Sequence, residues 1–562
     1  MAERREHYYI KTLKQQFADG KVERREFLRT STLLGLSATA AYAFVGKITG
    51  ESFVKPARAD MPMGGTLRVA MRTIDLKNPH TFSWVIDSNA MRGVVDYVTR
   101  TGIDNVTRPW LVDKWEASDD LKTWTFFVRR GITWRKDGRD LTADDIIWNI
   151  KHCLDDATGS SVQGLMKGYM LEEYDTGEKD ESGNAKLATR LWDANAVEKV
   201  DDFTFRLNAQ AAQLAVPEHF FHYPFLILDP NEGGVGGPGM NGTGPFELVE
   251  YEVGKRGLMK KVRHHWSGSG PFLDAVEIID TGDDATAVIG AVASKQVHFA
   301  DSPDILSLAA FQNMPHIQIL TANTAQTAVA RLRQGTSELA DNPKVRKALR
   351  MAIDSASILA LAHANLGAPA EHHHVAPIHP EYAKLAEWKR DVDGAKALLA
   401  EAGYPDGIDL AIDCKPDPAW ELSAIQGMVE QWKDADIRVA INVLPSAQFW
   451  EIWAITPFGF TSWTHRPLGV MVLGLAYRSG VPWNESNYNN PTFDELLTKA
   501  EGILDVDKRR EVMAEIEALM QEDGPIVQPI WRAVYVPADK AVLGLQAHPT
   551  GYYFWEEYAL EA

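Results

Sequence analysis

The sequence predicts an α/β protein with more than one core. Three observations predict it. The chain has 562 residues, more than one hydrophobic core usually serves. Period-2 apolar stretches alternate with helical ones through most of its length. Its composition, 45% hydrophobic and 24% charged, is that of a soluble globular chain, and it holds no internal repeat, coiled coil or low-complexity tract.

The first 59 residues read as an address. Glu23-Arg24-Arg25-Glu26-Phe27-Leu28-Arg29 precedes an apolar run, Ser31 to Val45, rich in Ala, Gly and Thr. That run is shorter than the ~20 residues of a membrane span. Ala57-Arg58-Ala59 has the small-x-small form of a cleavage site. The paired arginines before Phe-Leu resemble a twin-arginine export signal. These parts predict cleavage after Ala59 and a periplasmic protein beginning at Asp60.

The remaining elements follow in order. Gly65 to Ala70 reads as a first strand. Trp124, Phe126 and Val128 alternate with Thr125, Phe127 and Arg129, a strand with one buried face. Thr142-Ala143-Asp144-Asp145 has the form of a capping box, and Ile146, Ile147, Ile150 and Leu154 continue it at helical spacing. Residues 175–188 are polar and aperiodic, a surface excursion. Gly234-Val235-Gly236-Gly237-Pro238-Gly239 imitates a dinucleotide fingerprint, but Pro238 sits inside it and a strand, not a helix, follows. Asn342-Pro343 opens a helix with Pro at its first position. Val392 to Ala402 is another, closed by Gly403. Phe493 to Ile503 and Arg509 to Met520 are helices, and after Gly524-Pro525 the chain returns as a strand from Ile526 to Val536.

Charge and motifs exclude several functions. Residues 1–59 hold eleven Lys or Arg and six Asp or Glu, a net of +5; taking that from the −19 of the whole leaves −24. A chain so acidic is a poor partner for nucleic acid or anionic lipid. No phosphate-binding loop, His-Glu-x-x-His or Gly-x-Ser-x-Gly is present, so neither an enzyme nor a bound cofactor is expected. Cys153 and Cys414 fit no zinc spacing and are expected as free, buried thiols. Glu371-His372-His373-His374 with His379 is the one dense imidazole cluster, expected as a polar connecting loop because adjacent residues rarely all face one ion.

Four stretches resemble the extracytoplasmic solute-binding proteins that include the dipeptide, oligopeptide and nickel binders. They are Leu111 to Asp120 running on through Trp124-Thr125-Phe126 to Asp145, Gly242-Thr243-Gly244-Pro245-Phe246 continuing to Asp274, Asn342 to Leu349 with Ala352-Ile353-Asp354, and Ala395 to Leu399 through Ala402-Gly403-Tyr404. The resemblance implies a two-lobed periplasmic-binding-protein fold with a ligand cleft between lobes. The first lobe would take residues 60–332, with an inserted subdomain at about 101–205, and again 529–562. The second would take 333–528. It also implies a monomer that hands a small, peptide-like or acidic ligand to the permease subunits of an ABC importer.

The resemblance points to site residues as well. In peptide-binding members a loop of the second lobe carries a Trp followed by an Asp that receives the peptide's amino terminus. Here Trp463 fits, the acid is absent, and Arg466 stands about where it should be, beside His465. Arginine repels an ammonium and pairs with a carboxylate. Trp84 borders the expected cleft, Arg331 and Arg333 lie near the first hinge crossing, and Trp531 and Tyr535 near the second. Two other readings stay open: a metal-chelate binder, such as one for nickel, using His465, Arg466 and the 371–379 histidines, and a twin-arginine-exported enzyme carrying a cofactor.

Overall fold

The computed structural model describes residues 7–49, 61–179, 185–268, 270–282 and 284–561. The predicted cleavage site at Ala59 lies outside them.

Twelve of the described strands form one mixed sheet. In order along it run Phe246–Glu252, Arg256–Lys261, Ala275–Ile279, Thr66–Ala70, Phe299–Ala300, Ile530–Asp539, Ile317–Leu332, Phe458–Trp463, Ile408–Cys414 and Ile437–Val443, with Gly367–Pro369 also paired to Ile530–Asp539 and Ile526–Val527 to Ile317–Leu332. The two long strands in the middle, Ile317–Leu332 and Ile530–Asp539, pair antiparallel and carry the chain from one lobe to the other. Their register slips between Ala322 and Gln326, a bulge that bends the strand and frees backbone groups from the ladder. This is the place where two lobes joined by strands can pivot.

Each lobe has its own core. Leu67, Val69, Val276, Phe299 and Trp555 fill the first, and Val345, Leu349, Ile412 and Trp432 the second. The inserted subdomain is a four-stranded antiparallel sheet, Val112–Ala117, Thr123–Val128, Thr204–Asn208 and Val197–Asp201, covered by the helix Ala143–Leu154. Burial alternates strictly along Thr123–Val128, and the capping box at Thr142 and Asp145 is formed in both directions. A further core joins this subdomain to the second lobe's helices Gly469–Ala476, Pro491–Glu501 and Val506–Glu522.

One expectation needs correction and one gains detail. The surface excursion expected at 175–188 is, over its described residues, part of a hairpin, Leu171–Lys179 with Ala185–Leu191. Its first strand is almost wholly exposed, so no buried face imposed a period-2 pattern on the sequence. The strand expected from Ile526 to Val536 is two, Ile526–Val527 and Ile530–Asp539, interrupted at Gln528-Pro529, where proline lacks the N–H a ladder needs. Tyr9–Ala18, Arg24–Leu33 and Ala38–Thr49 are helices packed onto the body.

Cys153 lies on the subdomain helix and Cys414 at the end of a second-lobe strand, both buried and unbonded. Thiol titration of denatured, unreduced protein is expected to find two groups. Finding none would place the thiols in a disulfide that this arrangement does not contain.

Candidate functional site

A narrow space of about 40 Å3 lies between the lobes. The first lobe contributes Ser83, Trp84 and Tyr223. Trp84 sits in extended backbone just before the helix Val85–Met91, and Tyr223 is fixed by donating its hydroxyl to the Ser83 carbonyl at 3.0 Å. The second lobe contributes Trp450 and Trp453 from the helix Ser446–Ile452 and the residue after it, Thr461 to Thr464 and Arg466 from the end of the strand Phe458–Trp463, and Trp483.

Five of the lining residues are tryptophans, and they form a nearly continuous wall. Trp84 meets Trp450 edge-on at 4.9 Å between ring centroids, across the lobe boundary. Trp450 meets Trp453 at 6.0 Å, Trp453 meets Trp483 at 6.1 Å, and Trp483 meets Trp463 at 5.8 Å, all steeply inclined. Edge-to-face contacts at these distances stabilise the wall beyond simple burial and present ring faces to an apolar solute.

The charge in this lining is positive. Arg466 is 4% exposed and has no carboxylate partner among the described residues. Its Nη1 donates to the Thr464 hydroxyl at 2.5 Å and to the carbonyls of Thr464 and His465 at 3.2 and 3.1 Å. Its Nη2 reaches the Tyr223 hydroxyl at 3.4 Å, and the guanidinium carbon lies 5.1 Å from the Tyr223 ring centre. Nε is buried with no acceptor among the described residues. No Asp or Glu lines the space. The nearest carboxylate behind the wall, Glu485, accepts from Trp463 Nε1 at 2.7 Å and pairs with Arg331 at 2.7 Å, so its charge is already matched.

The structure brings Trp84, Trp463 and Arg466 together and sets the other sequence candidates around them. His465 lines a smaller adjoining space with Glu218 and Tyr552. Its Nδ1 accepts from the Ala325 N–H, one of the groups freed by the bulge, at 3.0 Å, and Nε2 faces Asn105 Oδ1 at 3.2 Å. Burial holds its pKa well below the usual histidine range. Arg331 lies behind the tryptophan wall, bonded to Glu485 and the Trp453 carbonyl. Arg333 donates to the Ala454 carbonyl at 2.8 Å. Trp531 is buried against His374, and the Tyr535 hydroxyl donates to the Asp304 carbonyl.

The 371–379 histidines lie in a connecting loop, as expected, but the loop is buried. His374 bonds the Tyr477 hydroxyl at 2.6 Å and approaches the Trp463 ring edge-on at 5.6 Å. His379 Nδ1 accepts from the Ala376 N–H at 3.0 Å, which leaves Nε2 to donate to the Arg466 carbonyl at 3.0 Å. They therefore brace the site loop from behind. No group of three or more His, Cys, Asp or Glu among the described residues is arranged to hold a metal ion.

Sequence reasoning missed Tyr223, Trp450, Trp453 and Trp483. The available signal was the Trp450-x-x-Trp453 spacing, which puts two rings on one helical face.

The profile described as "Bacterial extracellular solute-binding proteins, family 5 Middle" matches residues 106–505. The chain belongs to this family. As a solute-binding protein it is similar along most of its length to the Dipeptide-binding protein DppE of Bacillus subtilis, 26% identical over 84% of this chain and 86% of the relative. It is similar to Heme-binding protein A of Haemophilus influenzae, 23% identical over 79% and 82%. Among solved structures it shares its fold with the periplasmic binding protein AgaA of A. tumefaciens R10 in complex with agropinic acid, at TM-score 0.76, 19% identity, and 89% and 99% coverage. It shares it also with DppA of Helicobacter pylori in complex with the peptide STSA, at TM-score 0.74, 18% identity, and 89% and 99% coverage. The two-lobed fold with an inserted subdomain is thus the fold of the family.

Proposed function

We propose that this solute-binding protein captures a small solute bearing both an acidic group and an apolar or aromatic part, and delivers it to an ABC importer in the inner membrane. The lobe boundaries proposed are 60–332 with 529–562 for the first lobe and 333–528 for the second, with 101–205 inserted. It acts as a monomer in the periplasm, exported through Arg24-Arg25 and cleaved after Ala59. It does no chemistry on its ligand.

One observation carries the ligand reading. A buried arginine without a carboxylate partner stands at the end of a wall of five tryptophans, in a lining that holds no acid. A guanidinium so placed is matched by a carboxylate or phosphate oxygen. An ammonium has no acceptor of opposite charge there. A peptide ligand would therefore present its carboxyl end, or an acidic side chain, to Arg466, and its apolar side chains to the rings.

Native mass spectrometry of protein purified without denaturation, followed by extraction and identification of the bound solute, tests this reading. The expected solute carries a carboxylate or phosphate and an apolar portion. A co-purified solute with amines and no acidic group would overturn it.

A further inference from the structure

The smaller space beside the tryptophan wall measures about 20 Å3, and Arg466 lines both. Thr101, Glu218, His222 and Tyr552 reach it from the first lobe and its insertion, His465 and Met471 from the second lobe. Its whole lining lies after Ala59, so the space belongs to the exported chain.

Three buried polar atoms of this lining have no partner among the described residues: Arg466 Nε, Glu218 Oε2 and His222 Nδ1. Their residues are 4%, 2% and 2% exposed. Their other polar atoms are occupied. Arg466 Nη1 and Nη2 serve Thr464, the His465 carbonyl and Tyr223. His222 Nε2 faces Ser161 Oγ at 2.9 Å. Glu218 Oε1 accepts from Arg29, a residue of the segment proposed to leave with the export signal, and that departure changes Oε1 while Oε2 still lines the space. A buried polar group without a partner costs free energy, and three around one space mark a place for a polar group of the solute.

Size and donor set choose that group. About 20 Å3 holds one water-sized group. Arg466 Nε can only donate. Burial pushes the Glu218 carboxyl up, yet the carboxyl offers an acceptor oxygen whether ionised or not. Burial, with Arg466 nearby, keeps the His222 ring neutral, so it can serve in either role. An ammonium cannot accept from the arginine, and a carboxylate oxygen cannot donate to the glutamate. A hydroxyl does both. Because Arg466 lines both spaces, the hydroxyl sits next to the acid that Arg466 holds.

We propose that the smaller space is a hydroxyl subsite and that the solute is a small α-hydroxy acid with an apolar remainder. The inference rests on the acidic-solute reading of Arg466. Glu218 and His222 come from the first lobe and Arg466 from the second, so one hydroxyl bonded to both sides also favours the closed cleft.

Three probes small enough for the narrow space test it: isovalerate, α-hydroxyisovalerate and valine. They share an isopropyl group for the rings and a carboxylate for Arg466, and differ only in the hydrogen, hydroxyl or ammonium on the α-carbon. Each is titrated calorimetrically into the purified full-length chain after dialysis free of solute. The hydroxy acid is expected to bind at least about tenfold tighter than isovalerate, ~1.4 kcal/mol, and valine no tighter than isovalerate. Glu218→Ala is expected to remove the preference for the hydroxyl. Equal binding of isovalerate and α-hydroxyisovalerate would make the space a water site and overturn the subsite, while leaving the acidic-solute reading in place. Valine binding tightest would put an ammonium against Glu218 and overturn it as well. So would a preference that survives Glu218→Ala, or no binding of the hydroxy acid. A co-purified solute without an acidic group would instead remove the reading on which the subsite rests.

Discussion

Replacing Arg466 with alanine is expected to weaken binding of the co-purified solute by about ten- to more than a hundredfold. A hydrogen bond to a charged group is worth ~1.5–3 kcal/mol, and ~1.4 kcal/mol is tenfold in affinity. The site favours the upper part of that range, because Arg466 is 4% exposed and its neighbours are rings that exclude water. Stability without ligand should change little. The variant loses the bonds from Nη1 to the Thr464 and His465 carbonyls, but it also removes a buried cation that no carboxylate balances. Arg466→Lys keeps the charge and loses the planar fork, so it should fall between parent and alanine variant. Calorimetric titration of the solute against the three proteins decides it. Equal affinities would make Arg466 a brace for its own loop and remove the acidic-ligand reading.

The fold was legible where burial imposed a period. The strand Thr123–Val128, the capping box at Thr142 and the proline-initiated helix Pro343–Met351 were all readable because each records a local rule. The site was legible only in part. Trp84, Trp463 and Arg466 came from the family pattern, whereas Tyr223, Trp450, Trp453 and Trp483 come from separate segments that only the folded chain brings together. The burial of the histidine loop was not legible, for a physical reason. A run of imidazoles looks polar in sequence, yet a neutral ring can satisfy itself locally, as His379 does with the Ala376 N–H three residues back, and then go into the interior. In the N-terminal segment Tyr9, Leu13 and Phe17 recur every fourth residue and are all buried, an amphipathic signal that stands beside the export motif.

The second large effect concerns the pair behind the wall. Arg331 and Glu485 are 0% and 1% exposed, and they meet at 2.7 Å. Burial pushes the Glu485 carboxyl above its usual range and the Arg331 guanidinium below its own, while their contact opposes both shifts. Removing either partner alone strands a buried charge, so Glu485→Ala is expected to destabilise the protein by ~3–5 kcal/mol. Glu485 also accepts from Trp463 Nε1 at 2.7 Å, so the same variant should loosen one ring of the wall and weaken solute binding beyond its effect on folding. The double variant Arg331→Met with Glu485→Leu takes away both charges and keeps the volume. It should recover most of the lost stability, because paired buried charges replaced by apolar groups are often neutral or stabilising. It should not recover binding, since the Trp463 indole still lacks its acceptor. Denaturant unfolding and calorimetric titration of the single and double variants separate the two roles. If Glu485→Ala unfolds like the parent, the pair contributes nothing to stability. If the double variant binds like the parent, Glu485 does not position Trp463.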